Sequence, residues 1–142
     1  MHQTLAICTI LLAISALPSL VQAAETERFD VVIYGGTSAG IAAAIQTARM
    51  DKSAVIIEPT KFLGGLTTGG LGATDIGNKK AIGGISREFY QNVFTYYNDP
   101  AKWTRETRNE YFSKKHHGNS GSEDSMWTFE PHAASEIYDQ ML

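Results

Sequence analysis

FDVVIYGGTSAGIAAAIQTARMDKSAVIIE, residues 29–58, sets a strand, a glycine turn, a helix, a second strand and an acid in succession. Asp30 to Tyr34 is a short apolar, β-branched run, which predicts a parallel strand buried on both faces. Gly35-Gly36-Thr37-Ser38-Ala39-Gly40 follows directly. Gly35 permits a tight turn out of the strand, and Gly40 lets the next helix lie close to the sheet. The amides of Thr37 to Gly40 open that helix. No helical carbonyl satisfies them there, and the helix dipole favours an anion above them. Ile41, Ala44, Ile45 and Ala48 form an apolar stripe at helical spacing. A turn at Asp51-Lys52-Ser53 leads into Ala54-Val55-Ile56-Ile57, a second buried strand that ends at Glu58. A carboxylate at that point accepts hydrogen bonds from two ribose hydroxyls and favours a free 2′-hydroxyl over a 2′-phosphate. Together these features predict an α/β fold built on a Rossmann-like βαβ unit that holds a dinucleotide. The alternative is an ordinary βαβ unit whose glycines serve packing only.

One position departs from the pattern. In G-x-G-x-x-G the middle glycine lets the backbone approach the pyrophosphate, and Thr37 stands there instead. Its Cβ is expected to push the phosphates outward slightly, with its hydroxyl offering a hydrogen bond in return.

The next segment, PTKFLGGLTTGGLG at 59–72, places five glycines within nine residues. A nicotinamide-binding domain usually continues from its second strand into another helix, which this composition opposes. An extended loop, able to wrap a large flat cofactor and offer it N–H groups, is expected. VVIYGGTSAG at 31–40, Glu58, LGGLTTGGLG at 63–72, AIGGISREFY at 81–90 and WTFEPHAASEIYDQML at 127–142 carry a family resemblance. The chain resembles the secreted or periplasmic bacterial FAD-dependent oxidoreductases (FAD_oxidored), within the wider glutathione-reductase-like flavoproteins with two dinucleotide-binding domains. A GGT-x-AG variant of the turn occurs in that group. The resemblance covers nearly everything beyond residue 28 and implies that FAD is the cofactor. It implies that Gly35, Gly36, Thr37, Ser38, Ala39 and Gly40 hold the FAD pyrophosphate and that Glu58 holds the adenosine ribose. Gly64 and Gly65 would lie along the diphosphate or near the flavin. The reaction implied is oxidation of an unidentified organic substrate at carbon, by hydride transfer to the flavin.

Residues 1–23 carry no Asp, Glu, Lys or Arg, and the apolar run from Leu5 to Leu17 is too short to span a bilayer comfortably. Pro18 ends the run, and Val21-Gln22-Ala23 supplies small residues at the −3 and −1 places. A secretory signal peptide cleaved after Ala23 is expected, with 24–142 as the N-terminal part of an FAD-binding domain and a secreted or periplasmic product. An uncleaved anchor is the alternative. The single cysteine, Cys8, falls inside the signal. The mature chain would then have no disulfide, no cysteine-ligated metal and no redox-active cysteine pair. A net charge of −3 points to no nucleic-acid or anionic-membrane surface. The 142 residues suffice for one domain core but not for a whole flavoprotein of this kind, so an incomplete domain and a truncated or fragmentary chain, inactive alone, is expected.

Lys79 and Lys80 are read as solvated cations in a loop from Ala73 to Gly84, in preference to phosphate ligands. Ser86 to Tyr97 is read as a helix with Phe89, Val93 and Tyr96 or Tyr97 on its core face, stopped by Asn98-Asp99-Pro100. Residues 101–126 are read as a polar excursion, helical near Trp103 to Phe112. His116-His117 lacks a third ligand at metal-binding spacing and is read as loop. Trp127-Thr128-Phe129 is read as a short strand. Pro131 opens a final helix, whose packing face is Ala133, Ala134, Ile137, Tyr138 and Met141. No catalytic residue stands out; His132 and Tyr111 have the chemistry of an acid or base but no geometric argument. That pattern fits an enzyme whose cofactor performs the electron transfer. An NAD-dependent oxidoreductase and a non-catalytic dinucleotide-binding remnant are the competing functions.

Overall fold

The structure, a computed structural model, describes residues 26–73, 77–114 and 123–142. The expected signal segment with Cys8 lies outside the described residues, as does His116-His117. Strands β1 (Val31–Tyr34) and β2 (Ala54–Ile57) pair in parallel, with Val31 opposite Ala54 and Tyr34 opposite Ile57. Helix α1 (Ser38–Arg49) makes the crossover that a parallel pair requires and packs on both strands. A clasp sets the start of the pair. The Asp30 carboxylate accepts from the Ser53 amide at 2.8 Å and the Ser53 hydroxyl at 2.9 Å, and that hydroxyl accepts from the Asp30 amide at 2.9 Å.

Helix α1 ends in a Schellman turn. The Lys52 amide donates to the Thr47 carbonyl at 3.2 Å and the Asp51 amide to the Ala48 carbonyl at 3.0 Å. Asp51 sits at φ 55, the left-handed conformation that usually falls to glycine. Asp51→Gly is therefore expected to stabilise the fold by about 0.5 kcal/mol. A urea midpoint that fell would contradict this.

Helices α2 (Gly84–Tyr96), α3 (Arg108–Ser113) and α4 (Pro131–Met141) follow, with 3₁₀ turns at Lys79–Ala81 and Pro100–Lys102. The core is helical. Ile41 and Ile45 of α1 meet Phe89 and Val93 of α2 and Ala133, Ala134, Ile137 and Tyr138 of α4. Ala133 and Ala134 are fully buried; their small side chains let α4 press close to α2, where Phe89 stacks on Tyr138 at 4.7 Å between ring centroids. Arg49 and Glu88 join α1 to α2 by two parallel hydrogen bonds of 2.8 Å.

Several expectations are corrected. The strands are not buried on both faces: Val32 is 60% and Tyr34 82% exposed. A strand dry on both sides needs helices on both, and among the described residues α1 covers only one. Ala48 is exposed at the last turn of α1. Helix α2 begins two residues earlier than read, at Gly84, and Tyr97 enters the core as its C-terminal cap while Tyr96 is half-buried. Of the 103–112 stretch only 108–112 is helical, in a helix that runs on to Ser113, because Thr107 and Glu110 form a capping box that starts the helix there. The segment 101–126 is less of an excursion than its polarity implied. Trp103, Tyr111 and Phe112 pack against the core, and Ser125 and Met126 are buried. Trp127 to Phe129 is not a strand; Thr128 makes one antiparallel bridge to Ala73, and the Phe129 amide donates to the Gly72 carbonyl at 2.9 Å. Lys79 is not simply solvated, since its Nζ meets Glu123 at 2.8 Å and lies 5.8 Å from the Trp127 ring centre.

Candidate dinucleotide site

The glycine turn, the end of β2 and the loop 63–69 converge at the C-terminal edge of the two strands, where ligands of parallel α/β sheets bind. Gly35 leaves β1 at φ 105, and its amide is still in the sheet, donating to the Ile57 carbonyl at 2.9 Å. Gly40 is where α1 crosses β1 most tightly: a Cβ there would stand 2.2 Å from the Gly35 carbonyl oxygen. Thr37 caps the helix, its hydroxyl accepting from the Gly40 amide at 3.2 Å. With φ −71 and ψ 169 its backbone is ordinary extended chain, so the missing middle glycine is not needed for conformation. The Thr37 side chain is exposed, and its hydroxyl proton remains free to be donated outward.

Glu58 is tied into the turn. Its Oε2 accepts from the Gly36 amide at 2.8 Å, and its Oε1 accepts from the Thr60 amide at 3.0 Å and the Thr60 hydroxyl at 2.9 Å. These bonds, first the one from Gly36, hold its carboxyl below its ordinary pKa. The donors available to an anion therefore shrink relative to the sequence reading. The Gly35 and Gly36 amides serve the sheet and Glu58, and the Gly40 amide serves Thr37. The amides of Thr37, Ser38 and Ala39 remain beyond the reach of helical carbonyls.

Gly64 and Gly65 do come to the turn. The Gly64 amide donates to the Gly36 carbonyl at 2.6 Å, and Gly64 bridges to Thr37. The Ser38 hydroxyl donates to the Gly64 carbonyl at 3.0 Å and lies 2.7 Å from the Thr67 hydroxyl. A hydroxyl has one proton, so Thr67 is the donor to Ser38. The Thr68 hydroxyl closes the loop on the Leu63 carbonyl. Beneath it, the Tyr138 hydroxyl of α4 interacts with both Ser38 and Thr67, and burial, the larger effect, raises its pKa. Sequence reasoning gave Tyr138 a packing role alone; nothing in the spacing of α4 shows that its hydroxyl reaches the turn 100 residues earlier.

An open cleft of about 530 Å³ lies over this arrangement, lined by Glu58, Thr60, Phe62, Gly65, Thr68 and Gly69. Phe62 is 67% exposed and was not singled out by the sequence, because an aromatic residue in a glycine-rich loop carries no spacing signal. The cleft thus combines a carboxylate, a glycine-bearing wall and an exposed aromatic ring that has Lys61 Nζ 5.2 Å from its centre. His132 and Tyr111 stand apart from the cleft lining. His132 is exposed 3.8 Å from Glu130, and the Tyr111 hydroxyl is bonded to Thr128. No group of three or more His, Cys, Asp or Glu side chains able to hold a metal occurs among the described residues. No helix among them is long and apolar enough to cross a membrane.

Comparison with curated proteins and with solved structures gives no match. A protein-family model described as FAD dependent oxidoreductase matches residues 30–142, a span that holds the turn, Glu58, the glycine-rich loop and α4. The chain therefore belongs to the FAD dependent oxidoreductase family, whose cofactor is FAD.

Proposed function

We propose that this chain binds the ADP half of FAD at the glycine turn and serves oxidation of an organic substrate at carbon. The observation that carries the reading is the bond between Glu58 and the Gly36 amide. It fixes the ribose acceptor against the turn whose next amides face the pyrophosphate, so both recognition elements are set before the cofactor arrives. The Thr37, Ser38 and Ala39 amides, aided by the dipole of α1, hold the diphosphate charge. The Thr37 hydroxyl donates to the same anion. Glu58 Oε2 accepts from a ribose hydroxyl with the lone pair that the Gly36 amide leaves open. Phe62 offers its ring face to the adenine. Gly64 and Gly65, fastened by Ser38, Thr67 and Thr68, form the wall along the diphosphate. Bound FAD supplies the electron-pair acceptor for hydride removal from a substrate carbon. Export directed by residues 1–23, with cleavage after Ala23, is part of the same proposal.

The full chain, refolded or purified with added FAD, is expected to be yellow and to release FAD on denaturation. Titration with NAD under the same conditions should leave the protein unsaturated. A colourless protein that takes up no FAD, or one that prefers NAD, would refute the reading. N-terminal mass determination of exported material tests cleavage after Ala23.

A further inference from the structure

A second cavity, of about 220 Å³, lies between the end of α2, the 102–106 loop, α3 and the 126–130 segment. It shares no lining residue with the Glu58 cleft. Its walls are Tyr97, Trp103, Tyr111, Met126 and Phe129. The Trp103 ring centre lies 5.2 Å from that of Tyr97 and 5.3 Å from that of Tyr111, so three rings form a continuous cage.

The polar atoms of these walls are already occupied. The Tyr97 hydroxyl donates to the Glu130 carboxylate at 3.0 Å and accepts from the Glu130 amide at 3.1 Å. The Trp103 indole N–H donates to the Tyr97 carbonyl at 2.8 Å, and the Tyr111 hydroxyl is bonded to Thr128. The interior thus asks for a ring and not for a polar guest. An apolar cavity of about 150 Å³ is known to hold benzene, so this one has room for a single ring and a short arm.

Charge at the rim selects the arm. Lys102 faces Glu136 at 3.4 Å, and Glu106 faces Lys114 at 2.6 Å. Arg105 lines the cavity, is exposed, and makes no ion pair or hydrogen bond with a described residue. Its guanidinium is therefore available for a bidentate bond to a carboxylate. Glu130, at the Tyr97 end, repels an anion and so fixes the orientation, with the acid toward Arg105.

We infer that this cavity is a binding site for a small aryl carboxylate, the ring held among Tyr97, Trp103 and Tyr111 and the carboxylate by Arg105. The site is independent of the FAD reading and its test does not use turnover. Phenylacetate and the neutral benzyl alcohol, which keeps the ring and methylene but lacks the carboxylate, are titrated into the full chain and followed by NMR chemical shifts. Phenylacetate is expected to bind with a Kd of roughly 0.1–1 mM and benzyl alcohol about tenfold more weakly. Arg105→Gln, at an exposed side chain that pairs with no described residue, should remove that difference and leave benzyl alcohol unchanged. Thr104→Trp, at an exposed rim position, should block both probes while the circular dichroism spectrum stays that of the parent. Equal affinity for the two probes, an unchanged phenylacetate Kd in Arg105→Gln, or no shift up to about 10 mM phenylacetate would overturn the inference.

Discussion

Gly40→Ala is expected to yield protein that no longer retains FAD, with affinity at least about 100-fold weaker. A Cβ at this position would sit 2.2 Å from the Gly35 carbonyl oxygen and 3.2 Å from Ile33 Cγ2. The first neighbour is backbone and has no rotamer to escape into. Helix α1 must lift from β1, and the amides of Thr37 to Ala39 lift with it. Overpacking of this kind costs about 1–3 kcal/mol in stability. Gly36→Ala makes an instructive contrast. Its Cβ would meet Leu63 Cδ2 at 2.4 Å, the end of a flexible side chain, and Glu58 Cβ and Cγ at 3.3 Å. Leu63 can swing aside, so Gly36→Ala should stay near parental stability while nudging Glu58 and weakening FAD by less. Flavin fluorescence titration and urea unfolding on the two variants check the order. A Gly40→Ala protein with parental affinity would mean that the close crossing is irrelevant to the site.

Glu58→Ala should weaken FAD by about 100-fold and Glu58→Gln by about tenfold. Alanine removes both the ribose acceptor and the tie to the Gly36 amide, whereas glutamine keeps one acceptor oxygen and loses the charge. The pH dependence follows from the direction of the Glu58 shift. Its carboxyl is held below the ordinary value by the Gly36 and Thr60 hydrogen bonds. A depressed pKa in the folded state means that the stabilisation is complete above the unfolded value and is lost as pH falls through the folded one. FAD affinity should therefore be flat near neutrality and decline only in acid, below the ordinary glutamate range, where the Glu58 carboxylate of the free protein takes up a proton. The Glu58→Gln protein should lack that decline. Identical acid profiles for parent and variant would remove Glu58 from the proposed role.

These two predictions bear on different layers of the site. Gly40 governs where the helix sits, and Glu58 governs what the turn can still offer a ligand. The Tyr138, Thr67 and Ser38 hydroxyls add a third layer, since they connect α4 to the loop that carries Gly64. Tyr138 is buried against Phe89, so core packing and the shape of the proposed diphosphate wall are mechanically linked.

The residues of 29–58 determined the βαβ unit by themselves, because period, glycine placement and the helix start are local properties written within a few positions of each other. They also determined that Thr37 to Ala39 and Glu58 share one end of the strands, since a parallel crossover admits no other arrangement. The helices at Ser86–Tyr97 and from Pro131 were legible for the same reason, to within two residues. Tertiary structure decided the rest. It spent the Gly36 amide on Glu58, joined Tyr138 to Ser38, paired Lys79 with Glu123, and turned the polar stretch after Pro100 into an aromatic cage. Each of these joins groups 22 residues or more apart, or depends on which face of a segment meets the core. Such pairings are set by packing geometry, which no local pattern encodes.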